Sequence, residues 1–220
     1  MELQGTKVMK VYFDPATCVE SVKHLKRIYG LLEEKRVPHT DRLLDSSIKT
    51  EPPWKWPYVR TSPLGHDRRP RGRDGILNAV MCILRALIVG LLFYISVLNR
   101  TKVCHSSPDP IVHRDIRWEN VIRDLDPRRG WFLIDWEHAS CFPTTPQPQL
   151  IPQTHCPTVR EANHGFEVDI WAVGRLLYDA FIRAGDTLAE LGQSIMDESL
   201  TGSLDANAAL EKIAALALHS

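Results

Sequence analysis

Three short clusters place oxygen- and nitrogen-bearing side chains at spacings that can do chemistry. The first runs His113-Arg114-Asp115-Ile116-Arg117-Trp118-Glu119-Asn120 and leads into the apolar pair Val121-Ile122. The second is Leu133-Ile134-Asp135-Trp136-Glu137, and the third is Val168-Asp169-Ile170-Trp171-Ala172-Val173-Gly174. Carboxylate and amide oxygens, as on Asp115, Asn120 and Asp135, are the ligands a hard cation prefers. A guanidinium such as that of Arg117 can meet a phosphate. A set of this kind suits chemistry that depends on positioning and charge neutralisation more than on a covalent intermediate. Each cluster alone is a weak signal; their specificity lies in their occurring together and in this order.

The first cluster matches, at full spacing, the H-R-D-x-x-x-x-N catalytic loop of eukaryotic-type protein kinases. The second resembles the D-F-G metal site of that family with its last two residues changed. The third resembles the start of the long buried helix that anchors the catalytic loop. The run IVHRDIRWENVI followed by WFLIDWE is most similar to kinase-like domains common in fungi, including those of crinkler-type proteins. The matching stretch, residues 111–181, is about a third of the chain.

The resemblance implies ATP-dependent transfer of the γ-phosphoryl group to a Ser or Thr hydroxyl of a protein, with Mg²⁺ as cofactor. It makes Asp115 the residue that accepts or orients the proton of the attacking hydroxyl. Asn120 and Asp135 become the metal ligands, and Arg117 meets the transferred phosphate. Asp169 is structural, accepting backbone N–H bonds from the catalytic loop, and His113 is read as structural too. On the N-terminal side, Val8-Met9-Lys10-Val11-Tyr12 resembles the strand whose lysine binds the α- and β-phosphates. Lys10 takes that role and Val8 lies near the adenine. The following helix should supply a glutamate for Lys10; Glu20 is the candidate, with Glu33 and Glu34 as alternatives.

The elements that must position these residues can be read from periodicity. Residues 7–13 alternate and are rich in β-formers, so they predict a strand. Residues 19–35 carry Val22, Leu25, Ile28, Tyr29 and Leu32 at helical spacing, and Val37-Pro38 ends that helix. Residues 45–75 read as a polar connector with one short strand at 58–61. Arg60, Arg68, Arg69, Arg71 and Arg73 make it locally basic, which fits a solvated loop before it fits a phosphate or nucleic-acid patch. Asp74 can cap a helix starting near Ile76. Residues 131–134 predict a brief strand, and 141–157, rich in Pro, Gln and Thr, a loop. Helices are expected over 168–182, 186–196 and 205–218. The fold class that follows is α+β. The resemblance refines it to a two-lobed kinase-like fold, with a truncated N-lobe at 1–61 and a mainly helical C-lobe at 62–220.

Three departures from the family matter. Only residues 1–6, with Gly5 the sole glycine, stand where a glycine-rich phosphate loop should be, so the chain reads as beginning inside the small lobe. Glu137 replaces a hinge glycine, to bind metal or face solvent. Residues 88–108, much of them apolar, separate the helix from the loop it should feed directly, which reads as an insertion. These departures motivate a second reading, a non-catalytic pseudokinase or scaffold module; a small-molecule kinase is a third.

Bulk properties add exclusions. Lys plus Arg (27) equals Asp plus Glu (27), so no global field points to nucleic acid or an anionic membrane. Five cysteines without CxxC spacing argue against a disulfide framework and a zinc site. With no signal-peptide pattern, they favour an intracellular location. Residues 79–98 approach the length of a membrane span but contain Arg85, which favours a buried helix.

Overall fold

A computed structural model describes residues 8–12, 18–48, 56–62, 65–66, 69–98, 110–180 and 186–218. The chain is mixed α+β, with small antiparallel sheets and, among the described residues, five α-helices.

The first sheet contains β1 (Val8–Val11), β2 (Arg42–Ser47) and β3 (Tyr58–Ser62), in the order β1-β3-β2. Strand β3 pairs antiparallel with both neighbours, and Lys10 lies opposite Val59. Strand β2 begins ahead of the expected connector at 45–75 and runs into it, although RLLDSS neither alternates nor carries β-branched residues. It becomes a strand through its ladder to β3, and that ladder shifts register between Leu43 and Asp45.

Between β1 and β2 runs α1 (Cys18–Glu34), which buries Val22, Leu25, Ile28, Tyr29 and Leu32, the predicted stripe. It ends in a Schellman-type closure. Arg36 takes a left-handed conformation (φ 52°) and the Val37 N–H donates to the Leu32 carbonyl at 3.0 Å. Pro38 cannot continue the helix.

Helix α2 (Gly72–Leu98) is 27 residues long. Ile76, Val80, Ile83, Leu84 and Leu87 are buried, and Arg85 is exposed. Arg85 therefore faces solvent from a stretch, residues 79–89, that is otherwise apolar. Among the described residues, no helix is long and apolar enough to cross a membrane. Residues 88–98 of the expected insertion are simply the continuation of α2; residues 99–108 lie outside the described residues.

Beyond α2 come β5 (Ile111–Val112), β6 (Val121–Asp124), β7 (Trp131–Leu133) and β8 (Ser140–Cys141). Strand β6 pairs with β7 and with the short β4 (Gly65–His66), and β5 pairs with β8. Helices α3 (Glu167–Asp179), α4 (Asp186–Leu200) and α5 (Ala206–Leu218) complete the described chain. Helix α5 packs on α2, and α3 packs on α4. The α3–α4 crossing is close because a glycine faces a glycine. A Cβ on Gly174 would lie 2.7 Å from the Gly192 carbonyl oxygen, and one on Gly192 would lie 2.5 Å from that of Gly174. The core runs continuously from α1 through α2 to α3, α4 and α5.

Candidate functional site

The loop after β5 is built around Asp169. One oxygen of its carboxylate accepts the His113 N–H at 2.7 Å and the other accepts the Arg114 N–H at 2.8 Å. Asp169 sits in the first turn of α3 and is 1% exposed. Burial pushes its carboxyl up to about 6, against the pull of those two N–H groups. This is the contact expected from the sequence. It holds Arg114 in the left-handed region (φ 71°), a conformation a non-glycine residue keeps only when its surroundings impose it. The Arg114 side chain donates to the carbonyls of His138 and Thr145.

His113 is fully buried, and both ring nitrogens are committed. Nδ1 accepts the Asp115 N–H at 3.2 Å, so Nε2 carries the proton and donates to the Ile134 carbonyl at 3.1 Å. Burial lowers its pKa to about 4, consistent with a neutral ring. Trp136 packs edge-on against it, with centroids 4.5 Å apart, and so fills the aromatic place in the second cluster. His113 therefore ties the first cluster to the second.

Asp115 and Asn120 are coupled directly. The Asn120 Nδ2 donates to the Asp115 carbonyl at 2.8 Å and to its Oδ2 at 3.0 Å. Both bonds come from the one amide nitrogen of Asn120. The Asn120 backbone carbonyl accepts the Ile134 N–H at 2.9 Å, which sets the loop beside Asp135. Arg117 Nε lies 3.3 Å from Asp115 Oδ1. His155 Nε2 reaches the same oxygen at 2.9 Å from forty residues downstream, and both side chains are nearly inaccessible, at 6% and 4%. Burial alone would raise the Asp115 pKa. The His155 hydrogen bond, with Arg117 and His113, holds it below the ordinary aspartate value instead.

Asp135 follows β7 in the left-handed region (φ 63°, ψ 68°), which turns its carboxylate out of the strand line. Lys10 of β1 meets it, with Nζ 3.1 Å from Oδ1, and also contacts Glu137 Oε2. Burial would lower the lysine's pKa, but the bond to Glu137 and the charge of Asp135 outweigh it and leave it raised. Lys10 and Asp135 line a cavity of about 250 Å³ with apolar walls that include Leu25, Val59, Ile122 and Ile134. Asp41 also borders it. The Asp41 Oδ2 accepts the Tyr29 hydroxyl at 2.8 Å, its Oδ1 has no partner, and burial pushes it up to about 7.

The structure thus pairs Lys10 with Asp135 and joins Asp115 to Asn120 and Arg117, and the Ile134 N–H bond to the Asn120 carbonyl links the two groups. It does not bring Glu20 with them. Glu20 lies on the solvent face of α1 and pairs with Lys23 one turn on, at 2.8 Å. The helix turns its apolar stripe inward, so a charged residue between stripe positions points away, and the carboxylate for Lys10 comes from Glu137. The backbone of Val8 is in β1, but its side chain is outside the described residues, so its expected place near adenine has no geometry; Met9 lines the cavity. Among the described residues no three His, Cys, Asp or Glu side chains cluster as a ready metal cage. Sequence reasoning missed His155, which no spacing could connect to Asp115, and missed Asp41 in an unremarkable Thr-Asp pair.

No family profile matches the chain. Among curated proteins, it is similar to Crinkler effector protein 8 of Phytophthora infestans, 31% identical over 162 residues. The alignment covers 72% of this chain but only 23% of that protein's length. The organism is an oomycete, whereas the resemblance read from the motifs pointed to fungi.

Proposed function

We propose that this chain is a protein-kinase-like phosphotransferase, which uses ATP and Mg²⁺ to phosphorylate a Ser or Thr hydroxyl on a protein. The observation that carries this reading is the meeting of Lys10 with Asp135, beside a loop in which Asn120 and Asp115 are hydrogen-bonded. These residues come from stretches more than a hundred positions apart, and phosphoryl transfer needs that set in one place. In this reading the β1-β3-β2 sheet with α1 forms a reduced small lobe, the helices form a larger one, and the 250 Å³ cavity between Lys10 and Ile122 receives the nucleotide.

The donor set fits the metal. Asp135 offers a carboxylate, Asn120 offers an amide oxygen, and a hard cation takes such oxygens and completes its shell with phosphates and water. When bound, Mg²⁺ would neutralise charge on the phosphates. Lys10 would leave its carboxylates far enough to reach the same phosphates, with Glu137 steadying it. Asp115 would orient the acceptor hydroxyl and take its proton, and Arg117 would face the group in transfer.

Calorimetric titration tests the reading. ATP with Mg²⁺ should bind to the wild-type chain, and Asp135→Ala or Lys10→Met should weaken binding at least tenfold. Labelled phosphate should appear on the chain or on a generic protein substrate. Absence of any nucleotide binding would reject the proposal.

A second reading, a kinase-like module that does not catalyse, is favoured by one observation: Asp115 is nearly inaccessible, with both carboxylate oxygens engaged. Nucleotide binding without labelled product on any acceptor, including in variants that free Asp115, would select it. The similarity to a protein named as an effector is compatible with either reading.

A further inference from the structure

The chain between α1 and β2 stitches the first sheet to the second. The Leu133 N–H of β7 donates to the His39 carbonyl at 2.8 Å, and the Asp41 N–H lies 3.4 Å from the Leu133 carbonyl, so Thr40 bridges parallel to Leu133. His39 enters this stitch in the left-handed region (φ 55°), with Nδ1 3.1 Å from the Trp131 carbonyl and its ring edge-on to Phe132. A groove of about 430 Å³ borders the stitch, and its walls come from both sheets. Arg42 and Leu44 belong to β2, Phe132 to β7, and Arg129 to the turn just before β7.

The groove is positive and holds no counter-charge of its own. Among the described residues, no Asp or Glu lines it. Arg42 is exposed and pairs with no acid among those residues. The Arg129 side chain is 64% exposed and reaches only the buried Asp124, at 3.5 Å. Burial lowers the pKa of His39, so that ring adds polar surface without charge near neutrality. Apolar surface completes the walls. Leu44 is 45% exposed, because the β2–β3 ladder shifts register between Leu43 and Asp45 and leaves Leu44 out of the pairing. A single exposed arginine or leucine is ordinary. Here both kinds line one concavity in which the cations find almost no partner within the chain.

We propose that this groove is a docking site for a partner protein, which presents a short acidic segment carrying one large apolar side chain. Carboxylates of that segment meet the guanidinium forks of Arg42 and Arg129, and its apolar side chain packs on Leu44 and Phe132. Two guanidiniums beside an apolar wall suit such a segment better than a nucleic acid, whose binding grows with the number of phosphates neutralised. The balanced charge of the whole chain, 27 basic against 27 acidic residues, gives no field for a polyanion either. The groove uses none of the residues placed around Lys10 and Asp115, so the proposal stands apart from the phosphotransferase reading. A docked segment touches both sheets at once and holds them across the stitch.

Fluorescence anisotropy tests this. The probe is a short fluorescein-labelled peptide of glutamates around a central leucine. Wild type should bind it, less tightly as salt is added. Arg42→Glu and Arg129→Glu should each weaken binding about tenfold, since attraction becomes repulsion. Arg129→Gln should weaken it severalfold, and stands in if a glutamate beside Asp124 unfolds the chain; thermal melting checks the fold of every variant. Arg42→Glu should in turn bind the matching lysine peptide better than wild type does. Exchanging the leucine of the probe for serine should weaken binding to wild type but not to Leu44→Ser. Failure of wild type to bind the glutamate peptide overturns the proposal, as does equal binding by the folded arginine variants. Displacement of the probe by millimolar inorganic phosphate, or indifference to its leucine, makes the groove a plain anion site and also overturns it. Tighter binding of a uridylate oligonucleotide at the same arginines overturns it in favour of nucleic acid.

Discussion

Asp169→Ala removes a group that touches no proposed ligand, yet it should change the site and the stability in a pH-dependent way. Two buried backbone N–H groups, of His113 and Arg114, lose their acceptor. Each unsatisfied donor costs about 1–3 kcal/mol, so roughly 2–6 kcal/mol in all. Against this, the wild-type carboxylate is itself costly to bury. Its pKa of about 6, raised from 3.8 by burial, means that ionising it in the fold opposes stability by about 3 kcal/mol, at ~1.36 kcal/mol per unit. The sign follows from proton counting. Between pH 4 and 6 the native protein holds the proton while the unfolded chain has released it, so wild-type stability falls as pH rises through that window. The alanine variant lacks this term. The stability gap between the two proteins should therefore be wide near pH 4.5 and narrower by about 2 kcal/mol at pH 7.5. Urea unfolding followed by tryptophan fluorescence measures it, since the chain has six tryptophans. A gap that widens with pH would show that the two N–H bonds dominate burial and hold Asp169 below its ordinary value, which would refute the reasoning.

Other perturbations test separate parts of the molecule. Gly174→Ala places a Cβ 2.7 Å from the Gly192 carbonyl oxygen, so α3 and α4 must separate; overpacking of this kind costs about 1–3 kcal/mol and should appear as a lower urea midpoint. Asp41→Asn abolishes an ionisation that burial has pushed to about 7, a group that weakens the native state as pH rises from about 4 through 7. The variant should thus gain on wild type across that range, by up to about 4 kcal/mol at pH 8 in paired unfolding curves. Trp118→Phe loses the indole N–H donated to the Leu176 carbonyl at 3.2 Å and should cost about 1 kcal/mol and no more, because that carbonyl still accepts the Ala180 N–H.

Local pattern carried much of this fold. The α1 stripe was legible because one residue in three or four along a helix must face the core, and those positions are apolar. The place of Asp169 was legible through the resemblance, which implies that the carboxylate opening this helix accepts N–H bonds from the loop of the first cluster. Strand β2 was not, since its residues carry no strand signature and its ladder is supplied by β3. The partner of Lys10 was misread for a related reason. Spacing along α1 locates its faces but not the rotation that sets them, and Glu20 fell on the wet side while Glu137, two residues past Asp135, came within reach. His155 had no local signal at all: a contact spanning forty residues across a Pro-, Gln- and Thr-rich stretch is decided by tertiary packing.

The lysine's clamp also has a mechanical consequence. Both carboxylates that hold Lys10 lie within three residues of each other after β7, and among the described residues no Asp or Glu of α1 pairs with that lysine. That helix reaches the site through apolar contacts and through two hydrogen bonds, from the Tyr29 hydroxyl to Asp41 Oδ2 at 2.8 Å and between His24 Nε2 and the Ala139 carbonyl at 2.9 Å. A swing of α1 away from the body would open the cavity wall but leave the ion pair whole. On the proposed reading, moving that helix would take no acid away from the lysine.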